Sequence, residues 1–340
     1  MTQTLADIGE FGLIRHIHEL LSRAGPQAGE NILGIGDDCA SFKPSVGLEM
    51  LVTCDCMIEG RHYIRKYISP MDIGRRAMVM NISDIGAMGG HPLYALISLG
   101  LRGDTPIEDI DGMYLGFIEE LKPFKANIIG GNITRSEYYN FIDITLIGEV
   151  EKDVIMRRST ARKGDSILVT GSPGQAAAGL RLLLSEGRAK YPEDHPLVRA
   201  YIRPVHRAKE GRAIAKSGYA RAMIDISDGL LGDLWHICEE SGVGAEIIQE
   251  KIPISEYLHE IALEPDRLYD MVIGDSDDYE LIITCPSENV DKIRSIVTQM
   301  SDISVAEIGR ITDISGGVRI VLPDGTMRKM SSDGWDHFRR

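Results

Sequence analysis

Apolar residues recur along this chain in two rhythms. Phe11, Ile14, Ile17, Leu20 and Leu21 fall on one face of a helix, whereas EMLVTCD, LYALISLGL and YNFIDITLIGEV read as strands. Helices are predicted near DIGRRAMVMNISDIGAMG and IEDIDGMYLGFIEELK, with a further strand at ANIIGG. This alternation describes one layered domain over residues 1–153. RRSTARKGD is a polar connector, and SILVTG opens a second alternating unit over 154–340. That unit takes helices near 174–187 and 205–216, then the strand-to-helix stretch ARAMIDISDGLLGDLWH. Strands near 279–285, 304–310 and 317–321 complete it, with Pro323-Asp324-Gly325 as a turn. The predicted class is α/β (α+β layers) in two domains.

Length agrees, since 340 residues exceed one ordinary core. No apolar segment approaches the roughly 18 residues of a membrane span. The opening MTQTLADIGEFGLIRHIHELL lacks a basic region followed by an apolar block, so neither membrane nor signal peptide is expected. Net charge is −14, from 51 acidic against 37 basic residues, and no Lys/Arg run or basic-aromatic motif occurs. No nucleic-acid partner is therefore expected. Five cysteines, an odd number, suit reduced thiols and a cytoplasmic location. Cys54 and Cys56 share one face of a strand. With no second Cys/His pair to complete a zinc site, they are expected to be small core residues.

The acids are placed unusually, at the ends of apolar runs. GIGDDCA carries Asp37 and Asp38, and VTCDCMIEGRH carries Asp55, Glu59 and His62. NISDIGAMGG carries Asp84, and GDSDDYELIIT carries Asp275, Asp277 and Asp278. The stretch at 220–236 carries Asp225, Ser227, Asp228 and Asp233. Any one of these clusters is explained by helix capping or an Asp turn. Five of them at element ends point to a ligand, because loops at sheet ends are where such folds hold one. Carboxylate oxygens suit a hard cation such as magnesium, which bridges to phosphates. No Walker loop and no H-R-D or D-F-G signature occurs. VTGSPGQAAAGL looks like a phosphate cradle but lacks its lysine, so it is read as a tight packing turn.

The motifs GEFGLI, GIGDDCA, EGRHY, NISDIGAMG, IIGGNITR, DISDGLLGDL, DDYEL and GWDHF run nearly end to end. Through them the chain resembles the thiamine-monophosphate kinases, in the superfamily of aminoimidazole ribonucleotide synthetase. The resemblance implies an N-terminal sheet that pairs with its twin in a homodimer barrel, a C-terminal domain covering it, and ATP in the cleft. It implies several Mg²⁺ ions, with Asp38, Thr53, Cys54, Asp55, Asp84, Asn132, Asp225 and Asp228 as metal positions. Tyr114, Gly131, Asn132, Arg158 and Ser227 align with ATP contacts, and His62, Asp277 and Trp335 with contacts to thiamine monophosphate. Asp233 is expected to cap or to salt-bridge locally, and His62 has the alternative of a core histidine whose ring is satisfied nearby.

Three positions depart from the family pattern. Asn132 stands for an aspartate, Cys54 for a threonine and Asp277 for a glutamate. Sulfur is too soft for magnesium, so at Cys54 only a backbone carbonyl ligand survives. The implied reaction transfers a phosphoryl group from ATP to a phosphate oxygen already ionised at neutral pH, so no catalytic base is expected. The alternatives are a superfamily member acting on another small molecule, or a non-catalytic nucleotide-binding subunit.

Overall fold

The computed structural model describes residues 3–24, 32–35, 39–187, 190–261 and 265–330. They form two compact units, Met1–Ile85 with Gly90–Lys152, and Gly86–Gly89 with Asp153–Arg340.

The first unit opens with α1 (Leu5–Ala24), broken at Gly9, where φ is 66°. Leu13, Ile17 and Leu21, spaced four apart, form its buried face. β1 (Ile32–Leu33) pairs with β2 (Ser41–Phe42). Then come β3 (Leu48–Ile58), α2 (Pro70–Ala87), β4 (His91–Leu101), α3 (Ile107–Leu121), β5 (Asn127–Arg135) and β6 (Phe141–Glu151). Their sheet has the order β3-β6-β4-β5, antiparallel except for the β4–β5 pair. Period-two burial puts Ile142, Ile144 and Leu146 of β6 in the core. α2 and α3 cross so closely that a Cβ at Gly116 would lie 2.1 Å from the Met71 carbonyl oxygen.

The same alternation corrects the expectation for two cysteines. Leu51, Thr53, Asp55 and Met57 alternate with Val52, Cys54, Cys56 and Ile58, and the latter four are all exposed. Cys54 and Cys56 do share a face, but it is the open one.

The second unit contains β7 (Ser166–Thr170), α4 (Gln175–Glu186), α5 (Pro196–Ile202), α6 (Ala208–Ser217), β8 (Ala222–Asp225), α7 (Leu230–Ser241) and β9 (Val243–Ile248). It continues with α8 (Pro265–Ile273), β10 (Leu281–Cys285), α9 (Val290–Thr298), β11 (Val305–Asp313), β12 (Val318–Val321) and β13 (Met327–Lys329). The sheet order is β13-β12-β9-β11-β7-β10-β8. Only β12 and β9 run parallel, so both sheets are mixed. β7, β8 and β10 are buried at every position, which is why they read as continuous apolar runs. No described helix is long and apolar enough to cross a membrane.

Candidate functional site

In the second unit two acidic loops are laced together at one end of the sheet. β8 ends at Asp225, 2% exposed and in register with Leu281 of β10. Just beyond, the Ile226 N–H donates to the Glu280 carbonyl at 2.7 Å and the Tyr279 N–H to the Ile226 carbonyl at 2.8 Å. Gly229, with φ +101°, sits so close to the second loop that a Cβ would lie 2.0 Å from the Gly274 carbonyl oxygen. Only glycine satisfies both that backbone and that approach. Asp225, Ser227 and Asp228 therefore share one sheet end with Asp275, Asp277 and Asp278.

Within this group Asp233 does what was expected of it. Its Oδ2 accepts the backbone N–H groups of Ser227 and Asp228, each at 3.0 Å. Burial pushes the Asp233 carboxyl well above the usual range, and the charges of Asp225 and Asp228 add to the rise. Ligand atoms of Asp228, Asp233 and His236 all lie within 4.8 Å of one another. A buried carboxylate crowded by two more is an arrangement that a hard cation relieves, so the carboxylate oxygens suit magnesium, whereas the His236 nitrogen does not. His236 was missed in the sequence, although its place one turn beyond Asp233 on α7 was a readable signal.

Asp278 settles the glycine-rich turn at 171–175. Its carboxylate accepts the Gly174 N–H at 2.5 Å and the Ala176 N–H at 3.0 Å, while Ser276 Oγ accepts that of Ala177 at 3.2 Å. The start of α4 is thus closed by the chain itself, as the packing reading expected. Burial raises the Asp278 pKa to about 6.

In the first unit, the Thr53 hydroxyl donates a short hydrogen bond to Asp84 Oδ2. β3 thereby meets the last turns of α2, and Asp55 lies two residues along the same face of the strand. Cys54 points the other way, with its Sγ 3.4 Å from Asp143 Oδ1 and 3.5 Å from the Thr145 hydroxyl. At most its backbone carbonyl joins Thr53 and Asp55. His62 Nδ1 accepts the Ile58 N–H at 3.0 Å, so the neutral ring carries its proton on Nε2.

A cavity of about 880 Å³ in this unit is lined by residues including Ile35, Tyr114, Gly131 and Asn132. Gly131 is required there, since a Cβ would come 1.9 Å from the Ile97 carbonyl oxygen. Burial pushes the Tyr114 phenol up. Asn132 is in register with Ser98, Ser98 with Asp143, and Asp143 with Cys56. That row is on the open face, and β6 and β4 separate β5 from β3 by roughly 14 Å in total. The structure thus brings Asn132 to Gly131 and Tyr114, and does not bring it to Thr53, Asp55 and Asp84.

Arg158 is likewise apart from Ser227. Its carbonyl accepts the Ser241 hydroxyl at 2.7 Å, at the far end of α7. The helix separates the two by roughly 16 Å at 1.5 Å per residue. Asp38 and Trp335 lie outside the described residues.

Comparison with known proteins covers nearly the whole chain. AIR synthase related protein, N-terminal domain, matches residues 36–150, and its C-terminal domain matches 162–321. The thiamine-monophosphate kinase of Aquifex aeolicus (strain VF5) is 35% identical over 338 residues, 98% of this chain and 99% of that protein. Among solved structures, the thiamine-monophosphate kinase from Stenotrophomonas maltophilia K279a aligns with a TM-score of 0.80 at 31% identity, covering 94% of this chain and 97% of that one. AaThiL, solved complexed with AMPPCP and TMP, aligns at 0.75 with 33% identity, covering 99% and 100%.

Proposed function

The chain belongs to the thiamine-monophosphate kinases of the AIR synthase related family, and from that premise we propose how its residues carry the ATP-dependent phosphorylation of thiamine monophosphate to thiamine diphosphate. The observation that carries the proposal is the lacing of the 226–229 loop to the 274–280 loop. It gathers metal-binding and acceptor-binding carboxylates on one rigid sheet end.

Asp225 and Asp228 hold magnesium in the second unit, and Thr53, Asp55 and Asp84 hold it in the first. Bound magnesium supplies positive charge that offsets repulsion between the triphosphate and the acceptor phosphate and favours in-line transfer. Asp233 holds the Ser227 and Asp228 amides, which fixes the backbone from which the Asp228 carboxylate projects. The cavity of Tyr114, Gly131 and Asn132 takes part of the nucleotide. His62 presents Nε2–H to the acceptor phosphate, and Asp277 offers a negative charge to the cationic thiamine moiety. No side chain need remove a proton, since the acceptor oxygen is already ionised.

The protein acts as a homodimer in a cytoplasm. Val52 and Ile58, 65% and 39% exposed, flank Cys54 and Cys56 on an edge strand whose open face needs a cover. All five cysteines are free thiols, in keeping with a reducing compartment.

Purified protein with ATP and Mg²⁺ should make thiamine diphosphate from thiamine monophosphate and nothing from free thiamine. Turnover of thiamine alone would mark a hydroxyl-directed kinase. ATP binding with no acceptor turned over would mark a binding subunit.

A further inference from the structure

Behind the acceptor loop lies an ion pair to which none of the above gives a task. Arg207 grips Glu280 with two donors: Nε reaches Oε2 at 2.7 Å and a terminal nitrogen makes a shorter bond to Oε1. Both side chains are nearly buried, at 15% and 5% exposed. Glu280 Oε2 also accepts the hydroxyl of Thr170 at 2.5 Å, and Thr170 Oγ1 accepts the Leu281 N–H at 2.8 Å. Gly171 presses against the same carboxylate, so that a Cβ there would lie 2.2 Å from Glu280 Oε1.

The residue before Glu280 is held in an unfavourable conformation. Tyr279 is buried, is not glycine, and has φ 53°. Such a backbone persists only where its surroundings over-determine it. Here they do, because Asp278 is fixed to the start of α4 and Glu280 to Arg207 and Thr170. Asp277 precedes this doubly anchored stretch by one residue. Buried ion pairs are a poor way to gain stability, since desolvation offsets most of the attraction. Their attested use is to specify one geometry, and a bidentate guanidinium does so in direction as well as distance.

We propose that Arg207, Thr170 and Glu280 are positioning residues that fix Asp277 and thereby set the affinity for the phosphate acceptor. This rests on the assignment of Asp277 to the acceptor. A side chain misplaced by about 1 Å loses much of an oriented contact, so the strut acts on acceptor binding more than on ATP.

The test compares Glu280→Gln, Thr170→Val, Thr170→Ser and Asp277→Asn in the full chain, with separate KM values for ATP and for thiamine monophosphate and with circular dichroism as a check on folding. Glu280→Gln and Thr170→Val should raise the acceptor KM about ten-fold and leave the ATP KM within about two-fold. Thr170→Ser, which keeps the hydroxyl, should behave as wild type. Folded Glu280→Gln and Thr170→Val variants with unchanged acceptor KM, beside an Asp277→Asn variant in which it rises, overturn the strut alone. An unchanged acceptor KM in Asp277→Asn overturns the assignment of Asp277, and the strut with it. Should Glu280→Gln fail to fold, the contrast between Thr170→Ser and Thr170→Val decides.

Discussion

Asp278 receives the backbone N–H of Gly174 at 2.5 Å, across 104 residues of sequence. A carboxylate of the chain itself thus occupies the helix start that a glycine-rich turn would otherwise offer to a phosphate. The chain keeps this anion at a cost, because burial outweighs its hydrogen bonds and raises its pKa to about 6 from 3.8.

The sign of the resulting pH dependence follows from that rise. The folded state binds the Asp278 proton more tightly than the unfolded state, so the carboxyl imposes no penalty below pH 3.8 and its full penalty above about 6. Asp278→Asn removes the titration. Relative to that variant, the wild-type unfolding free energy should fall by about 3 kcal/mol as pH rises through this window, at 1.36 kcal/mol per pKa unit. Urea unfolding of both proteins at a series of pH values checks it. Parallel curves would mean that Asp278 is solvated.

Which parts of this site were legible depended on sequence distance. The DISDG stretch and the capping role of Asp233 were readable because the partners are six residues apart or fewer. The Arg207–Glu280 pair spans 73 residues, and no local pattern announces it. Cys54 and Cys56 were assigned to one face correctly, but which face is covered is decided by helices elsewhere in the chain. β9 escaped notice because Gly244 and Glu246 interrupt its apolar rhythm, although its neighbours in the sheet accept both. Asn132 joins the metal positions through its motif, and its distance along the sheet from β3 is set by a strand order that no local pattern announces.

Thr53 supplies a test of the first-unit metal positions. Thr53→Val keeps the shape and removes the hydroxyl that holds Asp84. Groups that orient a ligand typically carry about 10- to 100-fold in metal affinity. The Mg²⁺ concentration for half-maximal activity should therefore rise about ten-fold or more, with Mn²⁺ binding followed by paramagnetic resonance weakened alike. An unchanged requirement would remove Asp84 from the set.

Asn132→Asp tests whether position 132 serves the nucleotide or the metal. A new carboxylate in the cavity beside Gly131 and Tyr114 repels a polyphosphate but is remote from Thr53, Asp55 and Asp84. The KM for ATP should rise several-fold while the half-saturating Mg²⁺ stays constant. A lower Mg²⁺ requirement would instead return Asn132 to the metal positions.

The open face of β3 makes the remaining prediction. Val52 is 65% exposed on an edge strand, beside Cys54, Cys56 and Ile58. If a second copy covers this face about a two-fold axis, each substitution enters the interface twice. Val52→Asp then removes two buried valines, about 1.5 kcal/mol or more each, and brings two carboxylates into apposition. A loss of about 3 kcal/mol weakens association by more than 100-fold. The chain itself gains no buried charge, because Val52 faces solvent in the single protomer, so folding should be unaffected. Light scattering should give about twice the 37.5 kDa chain mass for wild type and the single-chain mass for Val52→Asp, with identical circular dichroism. A variant that keeps the doubled mass would place the contact on another face, and a monomeric wild type would leave β3 without a partner copy.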